Sequence, residues 1–274
     1  MNHKEIVLSF KDETEKESLI VALCSIGYDG FAEEDNTLKA YIEEEHFDEA
    51  SLKSTADIHQ FCFEVNHIQE QNWNQLWESN YEPVVVDNFV AVIADFHNSI
   101  PGVTHEIRIT PKMSFGTGHH ATTFLVLKLM SDIDFAGKEV FDFGTGTGIL
   151  AIMAEKLGAK RTYAIDYDNW CIENAAENLE RNKSSHIVLE KGDTAECIQQ
   201  FDIQIANINK NIIQDNVEFL AKQGDTGALL LLSGLLEEDE QDIHTLFSNR
   251  GWEQQKVLKK NGWIALQFIK KTNI

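Results

Sequence analysis

The chain has 274 residues, 43% of them hydrophobic, and a formal net charge of −22. The length allows one large domain or two modest ones, and the hydrophobic content excludes a wholly disordered chain. Such an acidic composition argues against direct binding of nucleic acid, whose phosphates need a basic surface. No apolar run approaches the ~18 residues that a membrane span requires. We therefore expect neither nucleic acid nor a membrane as a direct partner.

Four cysteines are scattered along the chain with no Cys-x-x-Cys pair and no zinc spacing: Cys24, Cys62, Cys171 and Cys197. Reduced thiols, together with the lack of a basic and apolar signal at the N-terminus, are typical of a cytoplasmic protein. The adjacent His119 and His120 have no acidic or cysteine partner at ligand spacing, so we expect no metal site. We also expect a monomer.

Residues 1–69 are predicted to form a small domain of their own. The spacing of apolar residues indicates, in order, a strand at 6–10, a helix at 12–26, strands at 28–33 and 38–42, a helix near 46–56 and a strand at 61–65. The order βαββαβ is the ferredoxin-like pattern, an α+β fold. Residues 1–70 contain 17 acidic and 5 basic residues, more than half of the negative excess. Solubility alone would explain this charge, and so would docking of a basic partner.

Residues 70–82 are predicted to form a linker helix. Trp73 and Trp77 are four residues apart on one face of it, and such a pair usually anchors a helix against a domain surface. Short strands are then expected at 83–86, 89–94 and 107–109. A second domain is placed at 83–274.

From residue 120 onwards the pattern changes to alternating helices and strands. Helices are expected at 121–130, 149–157 and 170–182, from the end of the fourth strand through 220, and near 237–247; strands are expected at 140–143, 163–166, 187–189, 201–208 and 229–232. Thr122 or Thr123 is expected to cap or begin the first helix. Alternating units imply an α/β domain with a parallel sheet covered by helices. The last two strand-like runs flank Asn261-Gly262, a hairpin signal that adds an antiparallel edge.

The tetrapeptide Phe-Gly-Thr-Gly occurs twice, at Phe115–Gly118 and at Phe143–Gly146. The second copy lies between a strand and a helix, where open backbone and helix amides favour a polar ligand. Asp166 ends the next strand, 22 positions after Gly144, and can accept hydrogen bonds from both hydroxyls of a ribose. Gly144, Gly146 and Asp166 are therefore candidates for binding an adenosine-type cofactor.

The spacing of this loop separates two classes of cofactor. The dinucleotide fingerprint is G-x-G-x-x-G, and here the third glycine, Gly148, comes one residue early. No Lys or Arg lies between the loop and Lys156 to neutralise a pyrophosphate, and Asp142 adds negative charge where a cationic ligand would be favoured. S-adenosylmethionine fits better, because it carries a ribose, an ammonium and a sulfonium but no phosphate. With the terminal hairpin, these features indicate a seven-stranded Rossmann-like methyltransferase sheet.

Asn207 is the candidate catalytic residue. It lies near the end of the fourth strand, and ligands of open α/β sheets lie beyond the carboxyl ends of the strands. Its amide oxygen could accept a hydrogen bond from an incoming amine and so orient the nitrogen lone pair toward the methyl donor. The alternative is that Asn207 caps the following helix.

Four segments together resemble the bacterial methyltransferases that modify large-subunit ribosomal protein eleven. They read MSFGTGHHATT at 113–123, DFGTGTGILAI at 142–152, IDYD at 165–168 and ANI at 206–208. Trp73–Trp77 is similar to the linker helix of that family, so the resemblance covers roughly residues 70–274. Residues 1–70 agree in size and element order, without a sequence signature, and Tyr167 stands where the family usually has isoleucine.

The resemblance implies that Thr123, Gly144, Asp166 and Asn207 contact S-adenosylmethionine, and that Phe115–Gly118 lies over it. It implies a protein N-methyltransferase that modifies lysine side chains and the N-terminal amine of the ribosomal protein. The small N-terminal domain would dock this basic substrate. Three other functions stay open: a nicotinamide-dependent oxidoreductase, a methyltransferase acting on another basic protein, and a non-catalytic binding protein.

Overall fold

The structure, a computed structural model, describes residues 3–34, 36–68, 81–110, 120–197 and 199–272. The chain divides into two compact units, Met1–Tyr81 and Glu82–Ile274. The predicted linker helix with Trp73 and Trp77, and the first Phe-Gly-Thr-Gly copy at Phe115–Gly118, lie outside the described residues. No helix in the described part of the chain is long and apolar enough to cross a membrane.

The described residues of the first unit form a four-stranded antiparallel sheet and two helices. In chain order the elements are β1 (His3–Ser9), α1 (Glu13–Cys24), β2 (Gly30–Glu34), β3 (Thr37–Glu43), α2 (Glu49–His59) and β4 (Phe63–Ile68), and the strand order is β2-β3-β1-β4. Leu38 and Ile42 alternate along β3 and pack with Leu23 of α1 and Leu52 of α2 in one core. The period of two in the strand and the helical spacing therefore meet in a single apolar layer.

The last strand of this unit starts two residues later than the sequence predicts. Gln60 ends α2 in a left-handed backbone conformation, with φ of 55°. The N–H of Phe61 then turns back to the carbonyl oxygen of Ala56. This helix end occupies the residues before Phe63, so they cannot join the sheet.

The second unit begins with a small three-stranded sheet of β5 (Val84–Val86), β6 (Val90–Ala94) and β7 (His105–Ile109). β6 lies in the centre, antiparallel to β5 and parallel to β7. All five residues of β6 are buried. Among the described residues β7 pairs with a strand on one side only, so the backbone groups of its other edge need partners from elsewhere in the unit.

The rest of this unit is an α/β fold around a large mixed sheet. Its elements are α3 (Ala121–Met130), β8 (Glu139–Phe143), α4 (Ile149–Lys156), β9 (Arg161–Asp166), α5 (Asn169–Arg181), β10 (Ile187–Lys191), β11 (Phe201–Asn207), α6 (Lys210–Asp215), α7 (Val217–Lys222), β12 (Gly224–Leu236), α8 (Glu240–Ser248), β13 (Trp252–Lys260) and β14 (Trp263–Lys270). The seven strands follow the order β10-β9-β8-β11-β12-β14-β13. β14 is antiparallel to both of its neighbours, and the other pairs are parallel.

Two apolar clusters bury the large sheet. Leu231 of β12 belongs to the cluster that contains α3 and α4, whereas Leu230 and Leu232 belong to the cluster that contains α6 to α8. Because side chains alternate along a strand, this division shows that helices cover both faces. The run of leucines that the sequence presents as one apolar segment is thus shared between two cores.

Three details differ from the sequence-based expectation or sharpen it. The single helix expected after β11 is two short helices that meet at Asn216, whose side chain accepts from Ala195 N–H at 2.7 Å and donates to the Ile212 carbonyl at 3.0 Å. β12 is longer than expected, because pairing with β11 and β14 extends it through polar residues. Asn261 and Gly262 both have positive φ, 52° and 79°, and form the predicted hairpin turn.

Candidate functional site

The carboxyl ends of β8, β9 and β11 lie side by side at one edge of the large sheet. The glycine loop, residues 144–148, follows β8 and leads into α4. Gly144 has φ of 75°, and a Cβ added there would lie 2.3 Å from Cγ2 of Ile208. Any other residue at this position would be strained and would displace Ile208, so the loop keeps its backbone open at this point.

Asp166, the last residue of β9, holds the glycine loop through its carboxylate. Oδ2 accepts the N–H of Gly146 at 2.9 Å, and Oδ1 accepts the N–H of Asp168 at 3.0 Å. The residue is only 6% exposed. Each carboxylate oxygen can accept more than one hydrogen bond, so both oxygens keep capacity for a hydroxyl-bearing ligand.

Asn207, the last residue of β11, has a fixed amide orientation. Its Nδ2 donates to Oγ1 of Thr123 at 3.2 Å, while its Oδ1 is buried and has no hydrogen-bond partner among the described residues. The N-cap of α6 is Asn209, so Asn207 does not cap the following helix. A buried carbonyl oxygen without a partner is costly, and an amine donor entering the site would satisfy it.

α3 begins at Ala121 with His120 as its N-cap, not with Thr122 or Thr123 as the sequence suggests. The Nδ1 atom of His120 lies 2.8 Å from the Thr122 hydroxyl, and its ring meets that of Trp263 edge-on at 4.6 Å between centroids. Because His120 takes the capping position, the hydroxyl of Thr123 is left for Asn207. The contact with Trp263 was not anticipated, and neither residue carries a sequence pattern that would reveal it.

Asp142 lies beneath the glycine loop and not in the open site. Its side chain has no exposure, and Oδ2 accepts the Thr145 hydroxyl at 2.6 Å. Burial raises the pKa of this carboxyl to about 7, and the nearby Asp166 charge adds to the increase, while the hydrogen bond from Thr145 opposes it. The sequence places negative charge near a cationic ligand; in the described structure the carboxyl is buried and is not among the side chains that line the pocket.

The structure brings the five sequence-predicted site residues together. Thr123, Gly144, Gly146 and Asn207 line one pocket, with Thr145, Thr147, Ile149 and Leu150 as its remaining walls. Asp166 joins them through its bond to Gly146. The sequence analysis does not single out Thr145 and Thr147. Their positions between glycines that face a ligand could have indicated that they line the site.

A glycine loop met by a carboxylate from the next strand suits a nucleoside. The lack of any Lys or Arg from residue 142 to 155 leaves nothing in this segment to neutralise a diphosphate. On this sheet, with its antiparallel end, these features define an S-adenosylmethionine-dependent methyltransferase. The chain belongs to the ribosomal protein L11 methyltransferase family (PrmA), whose family model matches residues 6–271.

Relatives and solved structures agree with this assignment. The chain is 35% identical to the ribosomal protein L11 methyltransferase of Bacteroides thetaiotaomicron, over 93% of this chain and 94% of the relative. It is 36% identical to that of Porphyromonas gingivalis, over 93% and 91%. The crystal structure of a ribosomal protein L11 methylase from Lactobacillus delbrueckii subsp. bulgaricus is 27% identical, with a TM-score of 0.65, over 70% of this chain and 99% of that structure.

Proposed function

We propose that this protein transfers methyl groups from S-adenosylmethionine to amines of ribosomal protein L11, both lysine side chains and the N-terminal amine. The observation that carries the proposal is the Oδ1 atom of Asn207, a buried acceptor without a partner among the described residues, in the pocket beside the glycine loop. The shared name of the family and of its relatives supports the choice of protein substrate. The choice of amines rests on this acceptor, because the N–H of an incoming amine would satisfy it.

The residues around the pocket fit the cofactor. Gly144 and Gly146 leave the loop open to a bulky ligand, and Asp166 has acceptor capacity for ribose hydroxyls. Thr123 and Asn207 line the same pocket. When bound, S-adenosylmethionine supplies an electrophilic methyl group.

The main task of the protein is to present a neutral amine. Since the ordinary pKa of a lysine side chain is ~10.4, only about one lysine in a thousand lacks its extra proton near pH 7.4, a cost of about 4 kcal/mol. The walls that the described residues give the pocket carry no titratable side chain. Once cofactor and substrate displace water from the pocket, the charged form of the amine is disfavoured. The amine therefore loses its proton to water before entry, and Asn207 Oδ1 accepts one of its remaining hydrogens, which aims the lone pair.

The first unit supports a substrate-docking role. Its sheet order β2-β3-β1-β4 with two helices is that expected of a ferredoxin-like domain at 1–69, and its excess of acidic residues suits a basic protein. In this proposal residues 70–82 link it to the methyltransferase domain at 83–274. The protein acts as a cytoplasmic monomer and does not contact nucleic acid directly.

The test is a methyl-transfer assay on purified ribosomal protein L11 with methyl-labelled S-adenosylmethionine, followed by mass spectrometry of the product. We expect label on lysine side chains and on the N-terminal amine. Ribosomal protein with acetylated amines is the matched control and should take up no label. If ribosomal protein L11 takes up no label and a second basic protein, assayed in parallel, does, the substrate proposal is wrong. Calorimetric binding of NAD without binding of S-adenosylmethionine would favour the oxidoreductase.

Replacing Thr123 by valine tests how the amide of Asn207 is oriented. Valine keeps the shape but removes the oxygen that accepts from Nδ2 of Asn207, so the amide loses its orientation and kcat should fall about five- to tenfold. Thr123→Ser keeps the oxygen and should stay within about twofold of the wild type. Thr122→Val is the matched control, because the hydroxyl of Thr122 contacts His120 instead. Steady-state kinetics that show equal losses in all three variants would contradict the orienting role.

A further inference from the structure

One helix connects the glycine loop to the small three-stranded sheet. α5 and the residue that caps its end carry asparagines at every fourth position, Asn174, Asn178 and Asn182, which places them on one face. Asparagine is a poor helix former, and Asn174 and Asn178 are fully buried. A buried amide is unfavourable unless it is hydrogen-bonded, so a stripe of this kind needs partners outside the helix.

Asn178 makes two bonds that point to different parts of the unit. Its Nδ2 donates to the carbonyl oxygen of Thr147 in the glycine loop at 2.8 Å. Its Oδ1 accepts the N–H of Thr110, the residue after β7, also at 2.8 Å. A single amide thus joins the loop that lines the pocket to the end of a strand in another sheet.

Asn182 makes a similar attachment to β7 and bonds both backbone groups of one residue. Its Oδ1 accepts the N–H of Arg108 at 3.0 Å, and its Nδ2 donates to the carbonyl of the same residue at 2.6 Å. The side chain therefore satisfies the free edge of β7 much as a neighbouring strand would. Arg181 adds a bond to the Thr110 hydroxyl at 2.6 Å and an ion pair with Asp95.

Packing holds the same helix close to the loop. A Cβ added at Gly148 would lie 3.1 Å from Leu179 and 3.4 Å from Ala175, near neighbours of Asn178 on α5. The loop therefore cannot move away from α5 without also leaving these apolar contacts. Of the two asparagines bound to β7, Asn178 is the one that shares a hydrogen bond with the loop in the described structure.

We propose that Asn178 is a positioning residue that couples the glycine loop to β7, so that occupation of the pocket stiffens the three-stranded sheet. The inference rests on the proposed cofactor, not on the protein substrate. A ligand that fixes Thr147 also fixes the Thr147 carbonyl, which accepts from Asn178. Because Asn178 in turn accepts the N–H of Thr110, the end of β7 is held as well. Coupling between two sites is reciprocal. If fixing β7 in place raises the affinity for the ligand, bound ligand must stabilise β7 by the same factor.

The test compares Asn178→Ala with Asn182→Ala in the full-length chain. Calorimetry with S-adenosylmethionine should show about tenfold weaker binding for Asn178→Ala and a change below about twofold for Asn182→Ala, although both lower the melting temperature. Amide hydrogen exchange by NMR should show that the ligand slows exchange of the β7 amides about fivefold or more in the wild type and in Asn182→Ala. This slowing should be lost in Asn178→Ala.

Asn178→Asp is a second variant in case the alanine variant folds poorly. Aspartate has the same shape and keeps an acceptor for Thr110, and at a pH high enough to ionise it despite burial it has no donor for the Thr147 carbonyl. It should lose the ligand-induced slowing in the same way. Wild-type affinity and slowing in both Asn178 variants would overturn the proposal, and so would equal losses in Asn182→Ala. If the ribosomal protein takes no label in the transfer assay while these results hold, the substrate proposal fails and this one stands.

Discussion

Replacing Asn207 by alanine is expected to lower kcat about 100-fold or more, while the dissociation constant for S-adenosylmethionine changes by less than about threefold. The variant removes Oδ1, the buried acceptor without a partner among the described residues, and with it the group that aims the amine. It leaves the glycine loop and Asp166 in place, and these carry most of the proposed cofactor contacts. Single-turnover kinetics and calorimetry measure the two quantities separately.

Asn209→Ala is the matched control for this prediction. Asn209 is two residues further along, is exposed, and makes no side-chain capping bond to the described helix α6. Its loss should leave kcat within about twofold. If Asn207→Ala lowers turnover and cofactor affinity by the same factor, Asn207 binds the cofactor and does not orient the amine.

Much of the site could be predicted because it depends on short spacings. The three glycines, Asp166 and Asn207 each end or follow a strand of an alternating α/β pattern, and parallel strands bring their carboxyl ends to one edge. The hairpin at Asn261-Gly262 is equally local, since both residues need positive φ. These features follow from residue type and order alone.

The other features of the site depend on the direction in which a side chain points and on contacts between residues far apart in the sequence. Asp142 is two residues from Gly144, but strand alternation and burial turn its carboxyl beneath the loop, which sequence adjacency does not reveal. His120 rather than a threonine caps α3, because an imidazole nitrogen can accept where a hydroxyl usually does. The bonds of Asn178 join positions 68 and 31 residues away. The four-residue spacing of asparagines on α5 indicates a polar face, but the partners come only from the fold.

Replacing Asp142 by asparagine is expected to change the pH dependence of the free energy of unfolding. Across the titration of this carboxyl the change amounts to about 4 kcal/mol. In the wild type, burial raises the pKa of this carboxyl from 3.8 to about 7 in the folded chain. A raised pKa means that the folded state favours the protonated acid. Its contribution is fully present below about pH 3.8 and is lost as the pH rises to about 7, at about 1.4 kcal/mol per pH unit.

Asparagine cannot ionise, and its Oδ1 can still accept from the Thr145 hydroxyl that Asp142 binds at 2.6 Å. The free energy of unfolding of Asp142→Asn relative to the wild type should therefore rise between about pH 3.8 and about pH 7 and stay level above that. Urea unfolding of the variant and the wild type at several pH values measures this difference in free energy. The contributions of the other acidic residues are the same in both proteins and cancel. Asp225→Asn, an exposed position at the start of β12, is the matched control and should give a flat difference. A flat difference for Asp142→Asn as well would mean that the carboxyl beneath the loop is ionised at low pH despite its burial, and that the loop tolerates the charge.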